Sequence, residues 1–238
     1  AMIDDGGPRR PIWLVVPRAA FEEVDTWQVS GLVGSGSRDV KCDGVFVAEH
    51  MTLVPGETRG GPTPGSAHVP GLLYQLPVLG LFPHILLGPM IGIAQGAYDD
   101  YVAEIRKRTA TYNSSKLAEH VQIQMKVAEA ATLIQAARLL GHDNIREAQQ
   151  ITESGRVPTV EEKIRWRRDG AYGAQNCVKA VQFLQSAIGA AGNYLSHPFQ
   201  RRFRDMHAAA SQIQVNFDIN GAEFGRVQLG LDPINKAV

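Results

Sequence analysis

Apolar residues recur at intervals of three and four through most of the chain after residue 79, which is the period of an amphipathic helix. Four such segments follow one another with short links, and this arrangement favours an antiparallel four-helix bundle. Thr159 and Glu162 have the spacing of a capping box, so they predict the start of the third helix. Gly141 predicts the end of the second helix. The predicted stripes comprise Ile91, Ala94, Tyr98, Tyr101 and Ile105; Ile123, Val127, Ala130, Ile134 and Ala137; Ile164, Ala171, Ala174, Val178, Val181, Leu184 and Ile188; and Phe199, Phe203, Met206, Ala210, Ile213 and Phe217.

The start of the chain has a different pattern from the rest. Short alternating runs at residues 12–16 and 39–47 predict β-strands, with a further short strand near Trp27. Few other segments can pair with the first of these strands. We therefore expect the sequence to be the C-terminal part of a longer protein.

The expected fold class is α+β and mostly α, a short β fragment followed by an antiparallel four-helix bundle. Residues 1–50 are predicted to be the C-terminal half of a β-domain. Residues 51–78 are rich in proline and glycine and predict a connecting loop. Residues 79–238 are predicted to form the helical bundle domain.

Composition and charge exclude several classes of protein. Lysine plus arginine and aspartate plus glutamate each number 24, so no net charge favours nucleic acid or an anionic membrane surface. The apolar region from Leu79 to Ala97 is interrupted by Pro83 and Pro89, and we expect it not to span a membrane. The histidines and cysteines lack metal-ligand spacing, so no metal site is expected. A cytoplasmic location is the expectation.

The stretch Ser30–Ser37 holds three glycines and three serines in eight residues. Its backbone N–H groups suit either an anion-binding turn or a tight connection between strands, and the residues alone leave both open. It lacks G-x-G-x-x-G, and no Lys-Ser or Lys-Thr follows, so it is no nucleotide P-loop. The next segment alternates like a strand, whereas a dinucleotide fingerprint opens a helix.

Three segments carry a resemblance to a known family. WQVSGLVGSGSRDVKCDGVFVAEH resembles the second half of the β-domain of acyl-CoA dehydrogenase-like flavoproteins, and more closely that of two-component flavin monooxygenases. GIAQGAYDDYVAEIRKR is similar to the G-x-A-x-G-A helix of that family. IGAAGNYLSHPFQRRFRDMHAA resembles its stretch from a glycine pair to R-x-x-R-D. The resemblance covers nearly the whole chain, and the order and spacing of the segments carry it.

The resemblance implies a set of cofactor-binding residues. Ser35 and Ser37 would lie near the ribityl phosphate of a flavin, Arg108 would bind a flavin phosphate, and Gly189 to Gly192 would approach the cofactor across a subunit boundary. The implied cofactor is reduced FMN, with FAD as the alternative. The family also has N-terminal helices and first β-strands that cover the flavin ring. The 238 residues alone are therefore expected to form an incomplete flavin pocket, to which flavin can fail to bind.

Two positions distinguish branches of the family. Ile213 stands where one group of acyl-CoA dehydrogenases has a catalytic glutamate, and isoleucine cannot take a proton. Gln212 stands where the monooxygenases have a catalytic histidine; it donates and accepts hydrogen bonds but does not titrate. In the R-x-x-R-D stretch, Arg201 and Arg204 are predicted to be ion-pair partners of Asp205 or of a neighbouring subunit.

The resemblance implies the oxygenase component of a two-component monooxygenase, which transfers oxygen from a flavin hydroperoxide to a small aromatic or heteroaromatic substrate. The implied partners are a separate flavin reductase and copies of the same chain, as a homotetramer. Two alternatives stay open. One is an acyl-CoA dehydrogenase-type oxidoreductase, and the other is a non-catalytic oligomeric remnant of the fold.

Overall fold

The structure is a computed structural model that describes residues 1–4, 6–7, 9–55, 58–110 and 114–235. Over these residues it is mostly helical, with little strand, so the predicted fold class is confirmed. The helices are α1 (Val78–Ile105), α2 (Val121–Glu153), α3 (Val160–Ile188), α4 (Pro198–Ala210) and α5 (Phe217–Gln228). The strands are β1 (Met2–Ile3), β2 (Arg10–Pro11), β3 (Trp13–Leu14), β4 (Glu22–Val24), β5 (Asp39–Lys41) and β6 (Thr52–Leu53). The predicted domain boundaries stay a prediction.

The strands form three antiparallel two-stranded sheets, β1 with β2, β3 with β6 and β4 with β5. They are shorter than predicted. The run at 39–47 forms a strand only as far as Lys41, and Trp27 lies outside any strand. Within the described residues nothing pairs with the rest of this run, and Phe46 is 90% exposed. Alternation predicts which residues can form a strand, but a strand also requires a partner edge.

Helix α3 is at the centre of the bundle and packs against α1, α2, α4 and α5. Its predicted stripe is confirmed, because these residues are buried except for the half-buried Val178. The predicted capping box is also present. The Thr159 side chain accepts from the Glu162 N–H at 3.2 Å, and Glu162 Oε2 accepts from the Thr159 N–H at 2.8 Å.

The end of α2 was predicted wrongly. The helix continues through Gly141 to Glu153, and Gly141 is buried inside it. A Cβ on Gly141 would lie 3.3 Å from Leu87 Cδ2 of α1. The glycine is therefore a point of close helix approach rather than a helix end.

The fourth predicted helix is two helices. Helix α4 ends at Ala210, a short 3-10 turn spans Ile213–Val215, and α5 begins at Phe217. Asn216 accepts a hydrogen bond from the Ile219 N–H at 3.1 Å and so caps a new helix. Ile213, placed by the pattern on a buried stripe, is 60% exposed.

The prolines of α1 do not interrupt it. Pro83 lacks the N–H that would donate to the Leu79 carbonyl four residues earlier. Arg167 of α3 donates to that carbonyl instead, at 2.6 Å. Helix α1 has the length and the apolar composition of a membrane-spanning helix. This is weak evidence for a membrane, since core helices pass the same test, and α1 buries residues against α2, α3 and α4.

Candidate functional site

The glycine- and serine-rich loop lies against α4. The Leu32 N–H donates to Asp205 Oδ1 at 2.7 Å, and Arg204 donates to the Ser30 carbonyl. Trp27 Nε1 donates to the Leu32 carbonyl at 3.0 Å. Arg204 and Asp205 therefore hold the loop, whereas the sequence had suggested ion pairing for them.

Gly31 is the point of closest approach between loop and helix. A Cβ on Gly31 would lie 2.3 Å from the Arg204 carbonyl oxygen and 3.0 Å from Ala208 Cβ. Backbone carbonyls inside a helix cannot move away, so only glycine fits here.

The second half of the loop faces away from α4. A Cβ on Gly34 would meet nothing within 4 Å, and Ser35 and Ser37 are both exposed. Ser35 Oγ donates to the Leu32 carbonyl at 2.9 Å, which leaves its oxygen lone pairs free to accept. The loop therefore combines a docked start with an exposed end, and an anion or a polar ligand can reach that end.

The structure brings together the other predicted flavin residues, Arg108, Gly189 and Gly192, at one end of the bundle. Arg108 Nη1 donates to the Ile188 carbonyl at 2.8 Å and to Glu104 Oε1 at 2.9 Å. Gly189 ends α3 with a φ of +77°. Gly192 is buried, and a Cβ there would lie 2.3 Å from Ile188 Cγ2. Arg108 thus ties the ends of α1 and α3 together, and its contact with a phosphate stays a prediction.

Helix α4 connects these two groups. At the start of α4, His197 Nε2 lies 2.8 Å from Glu104 Oε2. Glu104 is also the ion-pair partner of Arg108. Arg204, which holds the loop, lies seven residues further along, about two helical turns.

Gln212 follows the end of α4 and begins the 3-10 turn. Its Oε1 accepts from the Gln214 N–H at 2.5 Å. A backbone N–H only donates, so the amide atom that faces it must be the oxygen. Among the described residues the Gln212 NH₂ group then has no hydrogen-bond partner.

His207 does not replace the missing histidine at position 212. Its Nδ1 donates to the Phe203 carbonyl at 2.8 Å, and its Nε2 lies 3.2 Å from Gln182 Nε2. Both ring nitrogens are therefore engaged within the bundle.

Arg167 is the residue that sequence reasoning missed. It is 7% exposed and donates both to the Leu79 carbonyl and to Gln214 Oε1, the latter at 2.7 Å. Burial lowers the pKa of Arg167 from its ordinary value, while Glu223 acts in the opposite direction. Its spacing from Ile164 and Ala171 places it on the apolar stripe of α3, and that was the available signal.

The residues present fit part of a flavin, namely its phosphate and ribityl chain. Exposed serine hydroxyls and the N–H groups of the loop suit a phosphate or a ribityl chain, and the unpartnered NH₂ of Gln212 suits an acceptor atom. Across the residues that the structure describes, no three histidine, cysteine, aspartate or glutamate side chains form a group able to hold a metal ion.

Comparison with known proteins gives consistent results. The family model described as "Acyl-CoA dehydrogenase, C-terminal domain" matches residues 85–217. The FADH(2)-dependent resorcinol hydroxylase, oxygenase component, of Rhizobium sp. (strain MTP-10005) is 32% identical over 94% of this chain and 57% of its own length.

Solved structures agree on the fold. The crystal structure of 3-HSA hydroxylase from Rhodococcus sp. RHA1 matches with a TM-score of 0.90 at 26% identity, over 98% of this chain and 61% of that one. XiaF from Streptomyces sp., solved with FADH2 and glycerol, matches with a TM-score of 0.87 at 22% identity, over 98% of this chain and 59% of that one, and shows the fold alone. The chain therefore spans less than two thirds of the length of these proteins.

Proposed function

This chain belongs to the acyl-CoA dehydrogenase C-terminal domain family, as its motifs had indicated, and we propose that it acts in the oxygenase component of a two-component flavin-dependent monooxygenase. The proposed reaction hydroxylates a small aromatic or heteroaromatic substrate. The observation that carries the proposal is the docking of the glycine- and serine-rich loop on Arg204 and Asp205 of α4. The similarity to a resorcinol hydroxylase oxygenase component supports it.

The cofactor proposed is reduced flavin, either FMN or FAD. The name of the similar resorcinol hydroxylase component mentions FADH(2), which favours FAD. When bound, the reduced flavin would supply two electrons to O₂, so that one oxygen atom enters the substrate and the other leaves as water. A separate flavin reductase, a homotetrameric assembly and a cytoplasmic location are parts of the same proposal.

The residues of this chain have binding and orienting roles in the proposal. Ser35 and Ser37 bind the phosphate side of the flavin, with the loop held in place by Asp205. Arg108 binds a flavin phosphate, and the Gly189–Gly192 turn approaches the cofactor across a subunit boundary. Gln212 offers hydrogen bonds near the end of α4 but moves no proton, because an amide does not titrate.

The acyl-CoA dehydrogenase alternative gains no support from the site. That reaction needs a carboxylate to take an α-proton, and Ile213 occupies the corresponding position. The side chain of Ile213 is also 60% exposed on the turn, away from the buried stripe.

The proposed function is tested by following oxygen from ¹⁸O₂ into product. The purified chain is mixed with NADH, an unrelated flavin reductase, FAD or FMN, and a panel of simple phenols. Hydroxylated product that carries one ¹⁸O atom is expected, and its yield should fall about tenfold in Asp205→Ala, which frees the loop. Asp143→Ala, on the exposed side of α2, is the matched control and should leave the yield unchanged. Absence of ¹⁸O-labelled product from a folded chain would contradict the proposed function.

A further inference from the structure

A cavity of about 450 Å³ lies between α3 and α5. Pockets that hold small molecules have volumes of roughly 300–1,000 Å³, so this one is large enough for a ligand. Ile219, Ala222 and Ile234 form apolar parts of its wall, and the exposed side chains of both isoleucines show that it opens to solvent. Among the described residues that line it, none is a proposed flavin contact. The cavity is therefore separate from the residues assigned to the cofactor.

Arg167 of α3 brings a buried positive charge to the wall of this cavity. It is 7% exposed, and its two hydrogen bonds go to neutral acceptors, the Leu79 carbonyl and Gln214 Oε1. No carboxylate of the described residues lies within 4.0 Å of its guanidinium, and its other N–H groups have no acceptor in that part of the chain. A buried charge without a counter-ion is costly, so this wall favours an anion.

Asn220 fixes the guanidinium beside the cavity. It belongs to the same wall, is 2% exposed, and donates through Nδ2 to the Gln214 carbonyl at 3.0 Å. Arg167 Nη2 donates to the side chain of the same glutamine at 2.7 Å. The charged group is therefore held in place before any ligand arrives, which lowers the cost of binding one.

Three charged side chains of α5 share the wall with Arg167, namely Asp218, Glu223 and Arg226. Burial lowers the pKa of Arg167, and the negative charge of Glu223 raises it. Glu223 Oε1 accepts from the Asn235 N–H at 2.8 Å, and its carboxylate stays beyond ion-pair distance of Arg167. Glu223 therefore compensates the buried charge only in part.

We propose that this cavity binds a small apolar carboxylate, whose charged group pairs with Arg167 and whose apolar body packs on Ile219, Ala222 and Ile234. The guanidinium N–H groups that lack an acceptor would donate charge-assisted hydrogen bonds to the ligand. A monoanion fits better than a phosphate, because Asp218 and Glu223 already place two carboxylates at the wall. This proposal does not rest on the proposed function.

The test compares cyclohexanecarboxylate with cyclohexanecarboxamide by isothermal titration calorimetry of the purified chain. The two probes share a ring and differ in charge, and a saturated ring keeps the test separate from hydroxylation of an aromatic substrate. The carboxylate is expected to bind with a dissociation constant on the order of 1 mM. The amide should bind at least about tenfold more weakly, because it offers no charged acceptor to Arg167.

Two variants of α5 locate the binding in this cavity. Ala222→Phe places a ring in the cavity at an exposed position, and affinity for the carboxylate should fall at least about tenfold. Ala128→Phe makes the same change on an exposed face of α2 and is the matched control, which should bind like the unmodified chain. Glu223→Gln keeps an acceptor for the Asn235 N–H but removes a competing negative charge, so it should bind the carboxylate about threefold more tightly.

The role of Arg167 is tested with Arg167→Gln, which should bind acid and amide equally. Where that variant fails to fold, the comparison of the two probes and the Ala222→Phe variant still decide. Equal affinity of the unmodified chain for the two probes, no binding of the carboxylate, or unchanged binding in Ala222→Phe would overturn the proposal. Absence of ¹⁸O-labelled product from a chain that binds the carboxylate would instead count against the proposed function alone.

Discussion

Gly31→Ala is expected to release the glycine- and serine-rich loop from α4. The new Cβ would lie 2.3 Å from the Arg204 carbonyl oxygen, and a helix backbone cannot yield by the ångström or more required. The loop must therefore lift, which breaks the hydrogen bonds of Leu32 with Asp205 and of Ser30 with Arg204. Overpacking of this kind costs roughly 1–3 kcal/mol.

Hydrogen exchange at the Leu32 amide measures this effect without any ligand. Its protection should fall at least tenfold in Gly31→Ala, and the affinity for reduced flavin should fall in parallel. Gly34→Ala is the matched control from the same loop, because a Cβ there meets nothing within 4 Å, and it should behave like the unmodified chain. Equal protection of Leu32 in the two variants would contradict the docked arrangement.

The second large effect is a loss of stability in acid that arises from His84. This side chain is 7% exposed, and burial lowers its pKa from 6.5 to about 4, although nearby Asp169 acts in the opposite direction. Its Nε2 lies 3.2 Å from Asn144 Nδ2, and within the described residues its Nδ1 has no hydrogen-bond partner. The folded chain therefore holds His84 neutral.

The sign of the pH dependence follows from these two pKa values. Between pH 6.5 and 4 the unfolded chain binds a proton at His84 that the folded chain does not bind. The free energy of unfolding should therefore fall as the pH is lowered through this window, by about 3 kcal/mol at pH 4 from this group. Urea unfolding of the chain and of His84→Gln at pH 7 and pH 4 measures the difference.

His84→Gln should lose less stability than the unmodified chain over this interval, by that same amount. His142→Gln, which alters an exposed histidine of α2, should lose as much as the unmodified chain. An identical decline in His84→Gln and the unmodified chain would show that His84 becomes protonated without cost in the folded state.

The parts of the fold that depend on nearby residues were predictable. The capping box joins Thr159 and Glu162, which are three positions apart in the sequence. The buried stripe of α3 follows from a regular helical period. The break between α4 and α5 was missed because the apolar period continues through it, while a single side chain, Asn216, starts a new helix. Gly141 was predicted to end α2 because the residues around it do not reveal its contact with Leu87 of α1.

The site was predictable only in outline. The motifs indicated that the loop and the R-x-x-R-D stretch matter, but not that they touch each other. The hydrogen bond of Leu32 with Asp205 joins residues 173 positions apart, and no local period encodes such a pair. The role of Arg167 was hidden for a related reason, since its partners belong to α1 and to the turn after α4.

Anaerobic titration of the purified chain with reduced FAD and reduced FMN, followed by mixing with air, tests whether this bundle is a flavin-using oxygenase. The sequence predicts a pocket without the segments that cover the flavin ring, but Asp205 holds the phosphate-side loop without them. Saturable binding is therefore the expected result, with the Gly34–Ser37 amides protected from hydrogen exchange and the bound flavin reoxidised at a different rate from free flavin. A folded, helical chain that binds neither flavin would contradict a flavin site in these residues. It would favour a non-catalytic oligomeric bundle of the same fold.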